Sequence, residues 1–198
     1  MAVLFPGKFL YLAHTRVGSR ATVAMLKAAG GEEVDTGLSG GGRGHHAHFW
    51  NVVRHSDYRG EMVVCTVRNH FEALVTWWMS FNRKGNNCNQ YSFGEFLTEL
   101  VARDECFMTQ MKNGQTWWFH RHARWSDHIL RHETLQHDLN ILMQFHGLPP
   151  RDLPRNVNVT PDRPPTRSFY TPFLRAKVEQ MFRDEMKHYG YSWENINA

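Results

Sequence analysis

Apolar residues along this chain fall into two kinds of pattern. Short unbroken runs occur at residues 9–13 (Phe-Leu-Tyr-Leu-Ala) and 61–67 (Glu-Met-Val-Val-Cys-Thr-Val). Runs of that length, apolar on both faces, predict buried strands of a covered sheet. Residues 128–131 (His-Ile-Leu-Arg) predict a third, shorter strand. Elsewhere apolar residues recur every three or four positions, as on one face of a helix. Phe71, Leu74, Val75 and Trp78 form one such stripe; Phe96, Leu97, Leu100 and Val101 a second; Leu135, Leu139, Leu142 and Met143 a third; Leu174, Val178, Met181 and Phe182 a fourth. Residues 21–29 predict a helix directly after the first strand, stopped by Gly30 and Gly31, and residues 45–54 a short one with Phe49, Val52 and Val53 on its apolar face.

Punctuation supports these boundaries. Ser92-Phe-Gly-Glu95 has the form of a capping box. Thr171 followed by Pro172 has the form of a helix start. Residues 32–44, with Gly37, Gly40, Gly41, Gly42 and Gly44, read as a loop, as do the polar residues 82–90 and the Pro- and Arg-rich residues 151–168. Residues 104–125 mix Trp117, Trp118, Phe119, His120, His122 and Trp125 and read as a binding surface or an irregular packed segment. Strands alternating with helices predict an α/β fold: three layers, α/β/α, around a central and mainly parallel sheet. At 198 residues the chain is expected to form a single domain, 1–198.

Composition narrows the class. With 41% hydrophobic and 21% charged residues this is the makeup of a globular protein. No apolar run approaches the roughly 20 residues a membrane helix needs. No leader pattern precedes the first strand, so the expected location is intracellular, in the cytoplasm. Cys65, Cys88 and Cys106 are odd in number and widely spaced, which predicts reduced thiols rather than a disulfide frame or zinc site. The net charge of +4 suits an anionic ligand but is too small to argue for nucleic acid.

Candidate chemistry begins where the first strand ends. Arg16, Gly18 and Ser19 form a short turn before a helix. Such a turn aims unpaired backbone N–H groups and the positive end of the helix dipole at an anion. It is also compatible with an ordinary strand-to-helix connection carrying a surface arginine. Arg68 follows the second strand, and ligands of open α/β sheets sit at the carboxyl ends of the strands. Two cationic turns at one sheet edge favour the anion reading.

With those pieces in place, the chain resembles the sulfotransferase family, whose members use 3′-phosphoadenosine 5′-phosphosulfate (PAPS). Residues 15–20, Thr-Arg-Val-Gly-Ser-Arg, are similar to the family's 5′-phosphosulfate loop. Residues 63–77, Val-Val-Cys-Thr-Val-Arg-Asn-His-Phe-Glu-Ala-Leu-Val-Thr-Trp, are similar to its 3′-phosphate motif, with Arg68 and Thr76 at the arginine and hydroxyl positions. Residues 129–135, Ile-Leu-Arg-His-Glu-Thr-Leu, with Asp138, resemble the family's strand-then-helix segment. Residues 158–164, then 170–172 and 189–191, resemble the C-terminal part of its carbohydrate-type branch. Three positions depart from the pattern: Arg16 stands for the more usual Lys, Arg20 for a second hydroxyl, and Thr76 for Ser.

The resemblance implies a P-loop nucleotide hydrolase-like sulfotransferase fold and transfer of a sulfuryl group from PAPS, leaving adenosine 3′,5′-bisphosphate (PAP). The acceptor implied is a hydroxyl, by preference a saccharide's, and no metal, nucleic acid or membrane is required. Arg16, Val17, Gly18, Ser19 and Arg20, with Thr22, would hold the 5′-phosphosulfate, and Arg16 would also act on the leaving charge. Arg68 and Thr76 would grip the 3′-phosphate. Arg163, or Arg167, would close over the nucleotide. His46, then His48, would be the general base, ahead of His70 and Glu72.

Three other readings compete. Metal ligation by His45, His46 and His48, or by His120 and His122, lacks an accompanying Cys pair or His-Glu-x-x-His helix. A nucleoside-phosphate kinase would need Gly-x-x-x-x-Gly-Lys-Ser/Thr, which is absent from the sequence. A non-catalytic nucleotide or carbohydrate binder would use the Trp-rich residues 117–125 as a stacking surface.

Overall fold

The computed structural model describes residues 2–14, 16–34, 49–83, 91–101, 120, 123–154 and 163–196. The chain divides into two compact units, each made of two stretches: Met1–Arg68 with His120–Pro161, and Asn69–Phe119 with Asp162–Ala198.

The first unit is built on a five-stranded sheet. Its strands are β1 (Ala2–Phe5), β2 (Phe9–Leu12), β3 (Glu32–Glu33), β4 (Met62–Val67) and β5 (His128–Arg131), in the order β3-β1-β2-β4-β5. β2, β4 and β5 are parallel neighbours, with Leu12 opposite Cys65 and Cys65 opposite Ile129. β1 pairs antiparallel with both β2 and β3. Four strands therefore run one way and β1 runs against them. This is the α/β class the sequence predicts, with an antiparallel addition. Residues 2–5 form a hairpin with β2 that the short N-terminal run did not announce. Glu32 and Glu33, expected in a loop, pair with Leu4 and Val3.

Strand residues alternate between faces, and both faces are covered. Phe9 and Tyr11 pack with Val23, Met25 and Leu26 of α1 (Ser19–Ala28) and with Leu135, Leu139, Leu142 and Met143 of the long helix after β5 (Leu135–Phe145). Leu10 and Leu12 pack on the opposite face with Val34 and with Val52 of α2 (Phe49–Arg54). Helices thus lie on both faces of the sheet within this unit. Cys65 is a buried thiol in β4, in no disulfide among the described residues. Asp138 closes the turn after β5: one carboxylate oxygen accepts from the Arg131 backbone N–H and from the Thr134 hydroxyl, each at 2.9 Å.

The second unit is helical. α3 (His70–Arg83) buries Phe71, Leu74 and Val75, with Trp78 half-buried, as its stripe predicts. Asn69 starts it, accepting from the Phe71 N–H at 3.1 Å. α4 (Phe93–Glu95) carries the predicted capping box, with both reciprocal bonds of Ser92 and Glu95 made. It continues into a π-helical stretch, Phe96–Val101, where the sequence reads as regular helix. With the helix after β5 counted as α5, the last two are α6 (Pro172–Met181) and α7 (Arg183–Tyr189). Thr171 caps α6 through its bond from the Leu174 N–H, with Pro172 at the first position. Among the described residues no helix is long and apolar enough to cross a membrane.

Candidate functional site

The turn between β2 and α1 has an unusual backbone. Arg16 has φ 65°, the left-handed region in which side chains other than glycine's are strained. Gly18, at the N-cap of α1, has φ 78°. A β-carbon at Gly18 would lie 3.1 Å from Leu135 Cδ2 and 3.3 Å from His132 Cδ2, so the turn is pressed against the segment after β5. Gly18 has no side chain with which to cap α1, and the first turn of that helix carries no acidic residue. The N-cap therefore supplies no side-chain acceptor to the first turn of α1.

Cationic groups gather at this turn. Arg68, the residue after β4, is buried and donates from Nη1 to the Arg16 carbonyl at 3.3 Å. Burial, and then the charge of Arg20, pulls the Arg16 guanidinium below its usual value. Both effects penalise the charged form, and the attraction of a bound anion would offset them. Val17 is fully buried, Ser19 nearly so, and Arg20 is exposed. Thr22 is also fully buried, its hydroxyl donating to the Gly18 carbonyl at 3.3 Å. It supports the turn from beneath.

The structure brings Arg16, Gly18, Ser19, Arg20 and Arg68 together around one turn at the carboxyl ends of β2 and β4. Beside it opens a cleft of about 680 Å³, lined in part by Gly18, Ala21, His132, Thr134, Gln136 and His137. That volume is within the usual range for a small-molecule site. In the second unit, Thr76 and Arg163 meet: Arg163 Nη1 donates to Thr76 Oγ1 at 3.2 Å, and Nη2 donates to Thr166 Oγ1. The Thr76 hydroxyl donates in turn to the Glu72 carbonyl at 2.9 Å. Arg167 instead donates to the carbonyls of Trp193 and Glu194, with its guanidinium 5.4 Å from the Trp193 ring centre. His45, His46 and His48, and with them the expected base, lie outside the described residues, as do Trp117, Trp118, Phe119 and His122.

Two histidines that the sequence does not assign to this turn contribute to it. His120 is fully buried and accepts the Arg68 backbone N–H on Nε2 at 3.0 Å, fixing the turn after β4. In a neutral imidazole this places the ring proton on Nδ1. His132 packs against Gly18. Neither stands at a diagnostic spacing; 52 residues separate His120 from Arg68 along the chain.

No protein-family model, curated protein or solved structure matches the chain.

Proposed function

We propose that the chain is a PAPS-dependent sulfotransferase of P-loop-like fold, acting on an acceptor hydroxyl. The observation that carries the reading is the bond from Arg68 to the Arg16 carbonyl, which joins the two cationic turns at one sheet edge. The backbone amides from Val17 to Arg20, with the Arg16 guanidinium, then hold the 5′-phosphosulfate. In the in-line step a bond forms between the acceptor oxygen and sulfur while the bond from sulfur to the bridging oxygen breaks. The electron pair of that bond leaves on the 5′-phosphate of PAP, and the acceptor proton passes to the general base assigned to His46. Charge grows on the departing phosphate, where pre-placed donors and guanidinium groups stabilise it most. Within the second unit, the bond from Arg163, assigned to close over the nucleotide, to Thr76, assigned to the 3′-phosphate, supports those two assignments. Incubation with sulfur-labelled PAPS and a mixed extract of acceptors tests the reading: label is expected in an acceptor, and absence of incorporation rejects it.

A second reading, a non-catalytic carbohydrate binder, is favoured by one observation. Trp50 and Trp125 are 55% and 41% exposed, with ring centres 5.7 Å apart, and the Arg124 guanidinium lies 5.5 Å from the Trp125 ring centre. Exposed indoles beside a cation suit stacking on sugars. Saccharide binding without label transfer would select it.

A further inference from the structure

Within the second unit, two hydroxyls hold one guanidinium. Arg163 Nη1 donates to Thr76 Oγ1 at 3.2 Å, and Nη2 donates to Thr166 Oγ1. Thr76 is half-buried on α3. Thr166 begins a short 3₁₀ helix, Thr166–Phe169, and is only 5% exposed. The first bond spans 87 residues and the second three, so Arg163 fastens its own loop to α3. Both threonines are neutral, and neither offsets the charge they hold.

The two hydroxyls differ in where their protons go. Each has one proton to give, and a guanidinium can only donate to it. Thr76 spends its proton on the Glu72 carbonyl, one turn back in α3, at 2.9 Å. Its oxygen then accepts from Arg163, and nothing remains to donate. The neighbouring Ser168 is spent in the same way, on the Pro165 carbonyl at 2.7 Å. Thr166 is the exception. Its oxygen accepts from Arg163, and its proton meets no acceptor among the described residues.

A buried donor with no acceptor is uncommon and costs free energy. Here it stands on a guanidinium, so the acceptor that suits both is an anion. The oxygens of a phosphate dianion accept and do not donate. They can take the Thr166 proton, and they match the planar fork of an arginine. Thr76 could bond the same oxygens only by releasing the Glu72 carbonyl.

We propose that Arg163 and Thr166 together take up a phosphate monoester, the guanidinium by its charge and the hydroxyl by its unspent proton. Thr76 is a positioning residue: it holds the guanidinium in place and serves the phosphate at one remove. That this phosphate is the 3′-phosphate of PAPS rests on the sulfotransferase reading; the division of roles among the three residues does not.

The test uses the full chain, with Thr166→Val, Thr166→Ser, Thr76→Val and Arg163→Ala, and each valine variant combined with Arg163→Ala. Calorimetric titration with adenosine 3′,5′-bisphosphate is set against adenosine 5′-monophosphate, which lacks the 3′-phosphate. Thr166→Val should weaken bisphosphate binding about tenfold or more, as for a hydrogen bond to a charged group. Thr76→Val should weaken it about two- to tenfold, the worth of an ordinary hydrogen bond. Neither should change affinity for the monophosphate, and Thr166→Ser should bind as wild type. In the Arg163→Ala background Thr76→Val should have no further effect, whereas Thr166→Val should still cost affinity. Should Thr166→Val not fold, Thr166→Ala removes the same hydroxyl and carries the same expectations. Unchanged bisphosphate affinity without the Thr166 hydroxyl overturns the proposal, as do equal losses for both nucleotides or a Thr76→Val loss that persists without Arg163. If the wild type binds the bisphosphate no better than the monophosphate, the sulfotransferase reading fails, and inorganic phosphate decides the site alone. Movement of the Arg163 guanidinium NMR signals on adding phosphate, reduced in Thr166→Val, then supports it; unmoved signals overturn it.

Discussion

Arg68 donates from Nη1 to the backbone carbonyl of Arg16 at 3.3 Å, so one cation is anchored to the main chain of another. The bond fixes where the Arg68 guanidinium lies and leaves the Arg16 side chain to other partners. Removing Arg68 therefore takes away a charge-assisted contact and loosens the turn before α1. Arg68→Ala is expected to weaken binding of adenosine 3′,5′-bisphosphate by about 1.5–3 kcal/mol. Arg68→Lys should recover only part of it, since an ammonium lacks the planar fork. Isothermal titration checks both, and unchanged affinity in the alanine variant would reject the assignment.

The left-handed backbone of Arg16 makes stability and binding pull apart. An L-residue at that φ costs about 1–2 kcal/mol, which glycine avoids. Glycine in turn loses about 0.5–1 kcal/mol of chain entropy on folding. Arg16→Gly should thus raise stability by up to about 1.5 kcal/mol while weakening nucleotide binding. Urea unfolding and titration of the same preparation measure the two changes. A variant that loses stability and keeps affinity would contradict the argument.

His70 and Glu185 form a fully buried pair, with Nε2 and Oε2 3.0 Å apart, joining the start of α3 to α7. The rings of Phe182 and Tyr191 lie against the imidazole, at centre distances of 5.0 and 6.2 Å. Removing one partner breaks a fully buried polar contact, so Glu185→Ala is expected to destabilise the fold by about 1–3 kcal/mol. Glu185→Gln keeps the shape and a polar end and should cost less. Denaturant midpoints of the two variants give the comparison; equal, small effects would show the pair to be dispensable.

His146 gives a pH dependence whose sign follows from its surroundings. Burial first, then the charges of Lys8 and His128, hold its imidazole below the ordinary value. Its ring lies 5.1 Å from that of Phe9, and Nε2 has no hydrogen-bond partner among the described residues. The unfolded chain takes up a proton near pH 6.5 that the folded chain resists, so this group favours folding above that pH. Its contribution is lost as pH falls through about 6.5 toward the lower folded value. His146→Gln should therefore show a smaller fall in urea midpoint between about pH 7.5 and about pH 5.5 than wild type. The Lys8 bond to the His146 carbonyl, at 2.6 Å, is to backbone and survives the change. A steeper fall in the variant would reverse the sign.

Local chemistry explains which parts of this protein are legible in its sequence. Phe9 to Leu12 reads as a strand because four apolar residues in a row suit a sheet covered on both faces. Ser92 with Glu95, and Thr171 with Pro172, announce their helices because a cap is formed by residues three or fewer positions apart. Ala2–Phe5 has the same apolar character, but its assignment as β1 depends on pairing with β2. The turn at Gly18 is visible as a turn; its strain at Arg16 is not. The contacts between residues distant in sequence are the least legible: in the first unit His120 with Arg68 and Thr66 with Tyr11, and in the second Arg163 with Thr76, are 52, 55 and 87 residues apart. No local pattern encodes such distances.

The two units are interleaved in sequence, each drawing on a pair of stretches separated by the other's residues. During synthesis, β1, β2 and β4 therefore emerge well before their edge strand β5, and the helical stretch that begins at Asn69 is made in between. The sheet must wait with an unpaired edge on β4 until residue 131 has left the ribosome. A single cut at the boundary between Arg68 and Asn69 strands β5 and α5 on the wrong fragment. This protein therefore cannot be dissected into its two units by truncation, and a fragment ending at Arg68 would expose the apolar strand edge that β5 covers in the whole chain.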